Sequence, residues 1–137
     1  MAKASLIKEL IVKVQNKVGM MAEVADVISK GGSNITALNA FSIDDNAIFR
    51  IITSDNAKAA KELKSKKMDV SEKEAVKVEL ENKVGTAAAM ARKIKDANID
   101  IKYIYATTCN CTCECECTPS LVFDCNDNKK AVEILNK

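Results

Sequence analysis

The tetrapeptide Asn-Lys-Val-Gly occurs twice in this chain, at residues 16–19 and at residues 82–85. The apolar pattern around the two copies repeats at the same offset of 66 residues, which indicates one duplicated unit rather than two unrelated domains. In a chain of 137 residues the duplication predicts two small units, residues 1–72 and residues 73–137. The fold must therefore be one that half of the chain can form twice.

Each copy predicts the same order of elements. An alternating apolar strand leads into the tetrapeptide, and apolar residues at helical spacing follow it. Two further strands and a helix preceded by Asp and Asn capping residues come next. In the first unit a final strand at residues 68–71 completes the order β-α-β-β-α-β. The second unit ends after its last helix, which predicts a missing final strand, an unpaired sheet edge and a homo-oligomer of two or more chains.

The composition argues against several classes of protein. The chain has no histidine, no paired-carboxylate constellation and no glycine-rich phosphate loop, so we expect that it is not an enzyme. A net charge of +2 and 4% aromatic residues lack the basic stripe and stacking platform of a nucleic-acid binder. No apolar run is long enough to span a membrane, and no signal-peptide core follows the first methionine. We therefore expect a cytoplasmic protein with neither nucleic-acid nor membrane partners.

The Asn-x-x-Gly turn after each first strand, together with Asn34-Ile35 at the head of a second strand, resembles the ACT domain family. This resemblance covers nearly the whole chain. It implies an α+β fold of two tandem ferredoxin-like βαββαβ units with antiparallel sheets, joined side by side. It also implies a non-catalytic regulatory or sensor protein that binds an amino acid or a similar small zwitterion where two such units meet.

The resemblance implies two pockets, each made by the turn of one unit and the second-strand start of the other. Their residues are Asn82 and Gly85 facing Asn34 and Ile35, and Asn16 and Gly19 facing Asp100 and Ile101. The turn residues that complete the candidate ligand site are Val18, Met20, Val84 and Thr86.

The chemistry of such a turn suits an amino acid. Backbone N–H groups at the start of a helix favour a carboxylate, and glycine allows a close approach. An asparagine or aspartate oxygen accepts hydrogen bonds from the α-ammonium group. Because Asp100 stands where the first unit has Asn34, we expect two unequal sites. An Asn-x-x-Gly sequence also makes a stable turn without any ligand, which leaves both interpretations open.

Five cysteines alternate strictly in the second hairpin, residues 107–120, which is six residues longer than the first hairpin. They are Cys109, Cys111, Cys113, Cys115 and Cys117. Thiolates without histidine favour Cu(I), Zn(II) or an iron–sulfur centre. A second hypothesis for the function is therefore a thiolate metal-binding or redox-sensing protein. The segment can also be a surface hairpin that binds no metal. The sixth cysteine, Cys125, continues an apolar alternation and is predicted to be a buried thiol.

Overall fold

The protein is described by a computed structural model over residues 2–107 and 118–137. Its residues form two compact units, one of Lys8–Lys73 and one of Met1–Ile7 with Glu74–Lys137. The fold is α+β with antiparallel strand pairing, as expected. The strand order is β2-β3-β1-β4-β6-β5. The elements are β1 (Lys3–Gln15), α1 (Met20–Lys30), β2 (Ile35–Ile43), β3 (Asn46–Thr53), α2 (Asn56–Ser65), β4 (Asp69–Glu79), α3 (Thr86–Asp96), β5 (Ile101–Thr107), β6 (Ser120–Cys125) and α4 (Asn128–Leu135).

The unit Lys8–Lys73 has the strand order β2-β3-β1-β4 and one buried sheet face. In β3 the side chains alternate between buried and half-buried, because every second residue faces the core. Phe49 of β3 pairs with Val12 of β1, and both are buried. The apolar stripes of α1 and α2, which include Val24 and Leu63, complete this core.

The unit that contains Glu74–Lys137 repeats this plan with β1, β4, β6 and β5. Val76 of β4 pairs with Phe123 of β6, and both side chains are inaccessible to solvent. The core includes Ile94 of α3 and Leu135 of α4. Each unit therefore has its own core between a sheet and two helices.

Residues 3–7 of β1 belong to the second unit, where the sequence predicted no final strand. Ala4 is buried in the core of that unit. The side-chain oxygen of Asn136 accepts the Ala4 N–H at 2.8 Å, and the Asn136 side-chain NH₂ donates to the Ala4 carbonyl at 3.0 Å. Val70 stands 66 residues after Ala4 and is buried in the first unit. The beginning of the chain thus completes the second sheet.

This placement corrects two expectations. The units divide after residues 7 and 73, whereas the sequence suggested residues 1–72 and 73–137, because the first seven residues pack with the second unit. The predicted unpaired edge beside β4 is occupied by β1, and the ends of the described strand order are β2 and β5. The missing strand therefore gives no argument for oligomerisation.

The second helix of each unit begins with the predicted cap. The side chains of Asp55 and Asp127 accept hydrogen bonds from the N–H groups of Lys58 and Lys130, at 3.1 and 3.0 Å. The predicted burial of Cys125 is also confirmed, and this burial raises the pKa of its thiol. The helices of the described ranges have only 8 to 11 residues, and none is long and apolar enough to cross a membrane.

Candidate functional site

The two Asn-Lys-Val-Gly turns have the same backbone geometry. Gly19 lies at φ 92° and ψ −1°, and Gly85 lies at φ 90° and ψ −7°. Both conformations are left-handed, which strains any residue with a Cβ atom. A Cβ added at either glycine would have no other heavy atom within 4 Å. The backbone therefore requires glycine, and the space in front of each turn is open.

The helices that follow these turns, α1 and α3, begin without a side-chain cap. In contrast, α2 and α4 are capped by Asp55 and Asp127. N–H groups at the start of a helix carry a partial positive charge and favour an anion. The two uncapped helix starts, each next to an open glycine, can therefore accept a ligand carboxylate.

A cavity lies beside each turn, at equivalent positions of the two units. The first has a volume of about 360 Å³, and its walls include Gly19 and Met20 from the turn and Phe49 from the hairpin strands. The second has a volume of about 240 Å³, and its walls include Gly85 and Thr86 from the turn. We call these spaces the first and second turn cavities. The second has smaller side chains at its helix wall, because Thr86 replaces Met20.

The two turns differ in charge. The Lys83 ammonium lies 2.6 Å from the Glu81 carboxylate. This hydrogen bond lowers the pKa of Glu81 to about 2 and raises the pKa of Lys83, so both groups stay charged at neutral pH. Both side chains are exposed, and the second turn cavity includes both residues in its walls. Gln15 occupies the position of Glu81 in the first unit, so only the second copy places a carboxylate there.

Within the first unit, the turn and the second-strand start lie at opposite ends of the sheet. The Asn16 N–H donates to the Asp45 carbonyl in the β2–β3 hairpin at 2.8 Å. Asn34 precedes Ile35 at the start of β2, the end of the strand far from this hairpin. Its N–H donates to the Ser54 hydroxyl and its carbonyl accepts the Ser54 N–H, both at 2.9 Å. The first unit therefore does not bring its own turn and its own Asn34 together.

The second unit repeats this separation. The Asp100 N–H donates to the Asn126 side-chain oxygen at 3.1 Å, and the Asp100 carbonyl accepts the Asn126 N–H at 3.1 Å. Ile101 begins β5 at this end. The other end of β5 is Thr107, which pairs with Ser120 in the wall of the second turn cavity. The predicted facing of each turn with the strand start of the other unit stays a prediction.

The remaining predicted turn residues have distinct environments. Val18 and Val84 project into solvent from the tips of the turns and are among the most exposed apolar residues of the described chain. Met20 is buried in the core of the first unit and also lines its turn cavity. Asn82 lines the second turn cavity. The hairpin walls such as Phe49 were not predicted as site residues, although the 66-residue repeat placed this hairpin in order after each turn.

The five predicted metal ligands, Cys109, Cys111, Cys113, Cys115 and Cys117, lie outside the described residues. The strands that flank this segment are described, and the Leu80 N–H donates to the Pro119 carbonyl at 3.0 Å, next to the second turn. Over residues 2–107 and 118–137, no group of three or more histidine, cysteine, aspartate or glutamate side chains is arranged to hold a metal ion.

Comparisons with known proteins agree with this architecture. The fold is similar to that of protein BT0572 from Bacteroides thetaiotaomicron, with 28% identity and a TM-score of 0.86 over 97% of this chain and 88% of that chain. It is also similar to the ligand-free regulatory subunit of aspartate kinase from Thermus thermophilus, with 11% identity and a TM-score of 0.63 over 97% of this chain and 94% of that chain. Aspartokinase alpha and beta subunits match at 15% identity and a TM-score of 0.61, over 98% of this chain and 95% of that chain. No curated protein sequence gives a significant match.

The sequence itself matches a family model. The model is described as an ACT domain pair, and it matches residues 5–137. This range includes both turns and all four described helices. The chain therefore belongs to the ACT domain pair family.

Proposed function

We propose that this chain is a non-catalytic, cytoplasmic regulatory protein that binds an amino acid or a similar small zwitterion at its Asn-Lys-Val-Gly turns. The observation that supports this function is the repeated combination of an open left-handed glycine, an uncapped helix start and an adjacent cavity. The family membership and the similarity in fold to a regulatory subunit of aspartate kinase are consistent with it. Its proposed partners are the amino acid and the protein that it regulates, and the homo-oligomer expected from the sequence stays a prediction.

In this proposal the ligand carboxylate lies at the N–H groups that follow Met20 in α1 or Thr86 in α3. The N–H groups of Met20 and Thr86 themselves donate to the carbonyls of Lys17 and Lys83, at 3.2 and 3.3 Å. The side-chain oxygens of Asn16 and Asn82 accept hydrogen bonds from the ligand ammonium. We retain Asn34 and Asp100 as proposed ammonium contacts, and Ile35 and Ile101 as proposed apolar contacts. The exposed carboxylate of Asp100 has no counterpart at Asn34, so the sites have unequal affinities.

The glycines of the turns provide a test of ligand binding. Changing Gly19 or Gly85 to alanine places a methyl group in the open space that the ligand needs and strains the turn by about 1–2 kcal/mol. We expect each change to reduce affinity at its own site by about tenfold or more, since a misplaced carboxylate loses charge-assisted hydrogen bonds worth about 1.5–3 kcal/mol. Calorimetric titration of the metal-free protein with the twenty amino acids measures both sites.

Gly32→Ala is the matched control for backbone strain. Gly32 also has a left-handed φ of +86°, but it follows the other end of α1, and an added Cβ would meet only the flexible end of Lys58 within 3.4 Å. This variant should bind like the wild type despite a similar loss of stability. If no amino acid produces saturable heat, or if all three glycine variants lose binding equally, the turns are not the ligand site.

A second candidate function is thiolate metal binding by Cys109, Cys111, Cys113, Cys115 and Cys117. The strict alternation of these residues favours it, since thiolates without histidine select thiophilic metals. Protein purified without oxygen should retain at least about one zinc, copper or iron per chain by elemental analysis, because a tetrahedral site uses about four ligands. Metal should be released as the pH falls, because protons compete for the thiolates.

Changing Cys111, Cys113 and Cys115 to serine should abolish metal retention and leave the helical circular dichroism unchanged. Cys125→Ser is the matched control, because Cys125 is buried in the core of the second unit and should not affect the metal content. Freely titrating thiols and no retained metal in the wild-type protein would reject this candidate.

A further inference from the structure

The second unit contains a further cavity between α3 and α4, next to the second turn cavity. We call it the α3–α4 cavity. Its volume is about 170 Å³, and its walls are Ala2, Leu80, Ala89, Met90, Lys93 and Leu135, with Glu81 and Thr86 at the turn. Leu80, Met90 and Leu135 are buried, so the inner wall is apolar. A cavity of about 150 Å³ in a protein core is large enough to hold benzene. The α3–α4 cavity can therefore hold a compact apolar group.

The first unit fills the equivalent space with its own side chains. At the repeat offset of 66 residues, Met20, Val27 and Met68 correspond to Thr86, Lys93 and Ala2. All three belong to or pack against the core of the first unit. In the second unit, two methionines are thus replaced by threonine and alanine, and a valine by an exposed lysine. The α3–α4 cavity results from these replacements.

The wall at Ala2 is held in place by its neighbours. Asn136, just after α4, makes two hydrogen bonds to the backbone of Ala4, at 2.8 and 3.0 Å. Ala4 is itself buried. Because this part of β1 is fixed against the end of α4, the strand cannot move inward to fill the space without breaking both bonds.

The α3–α4 cavity adjoins the second turn cavity. The two spaces share Leu80, Glu81 and Thr86 in their walls. The Thr86 hydroxyl donates to the carbonyls of Glu81 and Lys83, at 2.9 and 3.0 Å, so hydrogen bonds within the turn engage this group. Thr86 is therefore a small residue in the wall that the two spaces share.

We propose that the α3–α4 cavity receives the side chain of the ligand whose charged groups bind at the Gly85 turn, which makes the second site selective for amino acids with branched aliphatic or thioether side chains. This inference rests on the proposed function of the turns. The first site has no such space next to its turn, because Met20, Val27 and Met68 occupy it, and it accepts small side chains only. The cavity of about 510 Å³ between α1 and α2 has Val27 in its wall but no residue of the turn. Thr86 and Ala2 determine the selectivity of the second site.

The test is calorimetric titration of the full chain with glycine, alanine, valine, leucine and methionine. We expect one site per chain that binds leucine or methionine at least about tenfold more tightly than alanine, as an apolar pocket discriminates between side chains that differ by methylene groups. Thr86→Met, which copies the first unit, should lower the ratio of leucine affinity to alanine affinity by at least about tenfold.

Lys95→Met is the control, because Lys95 is an exposed residue in the last turn of α3 that lines neither cavity. It should leave both affinities unchanged. Ala2→Met fills the same cavity from the opposite wall, so it should change the affinities in the same way as Thr86→Met. It replaces Thr86→Met in the test if the Thr86 variant does not fold. Absence of heat with every amino acid would overturn the proposed function itself. Binding with equal affinity for alanine and leucine, or leucine binding that survives both methionine variants, would overturn this inference alone.

Discussion

Deletion of residues 1–7 is expected to unfold the unit completed by Glu74–Lys137 and to leave the core of Lys8–Lys73 intact. The deletion removes the strand beside β4, takes Ala4 out of the core and leaves the Asn136 side chain without its two backbone partners. Each lost hydrogen bond contributes about 0.5–1.5 kcal/mol, and a strand includes several of them. Because a small domain has a total stability of about 5–15 kcal/mol, this loss is large enough to unfold the unit.

Urea denaturation followed by circular dichroism, with hydrogen exchange read separately for the two units, measures this effect. Asn136→Ala is the graded control, since it removes only the two side-chain bonds to Ala4 and should cost about 1–3 kcal/mol. Equal stability of the deleted and complete chains would show that residues 3–7 contribute no strand.

The internal repeat also defines how to rescue the deletion. In the first unit Lys66 and Lys67 join α2 to the Met68 that precedes β4. A circularly permuted chain copies this connection. It consists of residues 8–137, a Lys-Lys linker and then residues 2–7. We expect this permuted chain to recover the stability of the second unit. Failure of the rescue, with a stable first unit, would mean that the equivalence of Ala4 and Val70 is wrong.

Asn128→Ala is expected to destabilise the second unit by about 3 kcal/mol, because it removes four hydrogen bonds from a partly buried site. The Asn128 side-chain oxygen accepts from the N–H of Cys125 at 3.0 Å and from its thiol at 3.1 Å. The side-chain NH₂ donates to the Glu74 carbonyl at 3.3 Å and to the Asp124 carboxylate at 3.0 Å. Asp124 is buried, and a buried carboxylate that loses a donor is costly.

The repeat supplies the matched control for this prediction. Asn56 accepts from the N–H and hydroxyl of Thr53, at 3.0 and 2.8 Å, and donates to the Lys8 carbonyl at 2.9 Å. Ile52 stands where the second unit has Asp124, so no carboxylate loses a donor there. Asn56→Ala should therefore cost the first unit less than Asn128→Ala costs the second. The reverse order of unfolding midpoints in urea would contradict the importance of the Asn128–Asp124 bond.

Local patterns in the sequence predicted what depends on local physics. The strand alternation, the helical stripes, the Asp55 and Asp127 caps and the burial of Cys125 all follow from the chemistry of a few neighbouring residues. The Asn-Lys-Val-Gly turns were recognised for the same reason, since the left-handed backbone at Gly19 and Gly85 is a local requirement.

The partner of a strand is not a local property, which is why the role of residues 3–7 was missed. The alternation from Lys3 to Gln15 reads as one strand, and nothing in it marks the change of unit after Ile7. A comparison of Ala4 with Val70 at the repeat offset would have provided the signal. The α3–α4 cavity was unpredictable in a different way, because it depends on Ala2, Thr86 and Leu135, which are far apart in sequence.

The use of β1 by both units sets an order in which the chain can fold during synthesis. Lys8–Lys73 is contiguous, so this unit can form as soon as it has left the ribosome. Residues 3–7 are made before the rest of their unit, yet the hydrogen bonds between Ala4 and Asn136 span 132 residues and must wait for α4. Contacts between residues so far apart in sequence slow folding. Residues 3–7 therefore find their place only after the rest of their unit, which is made later, has left the ribosome.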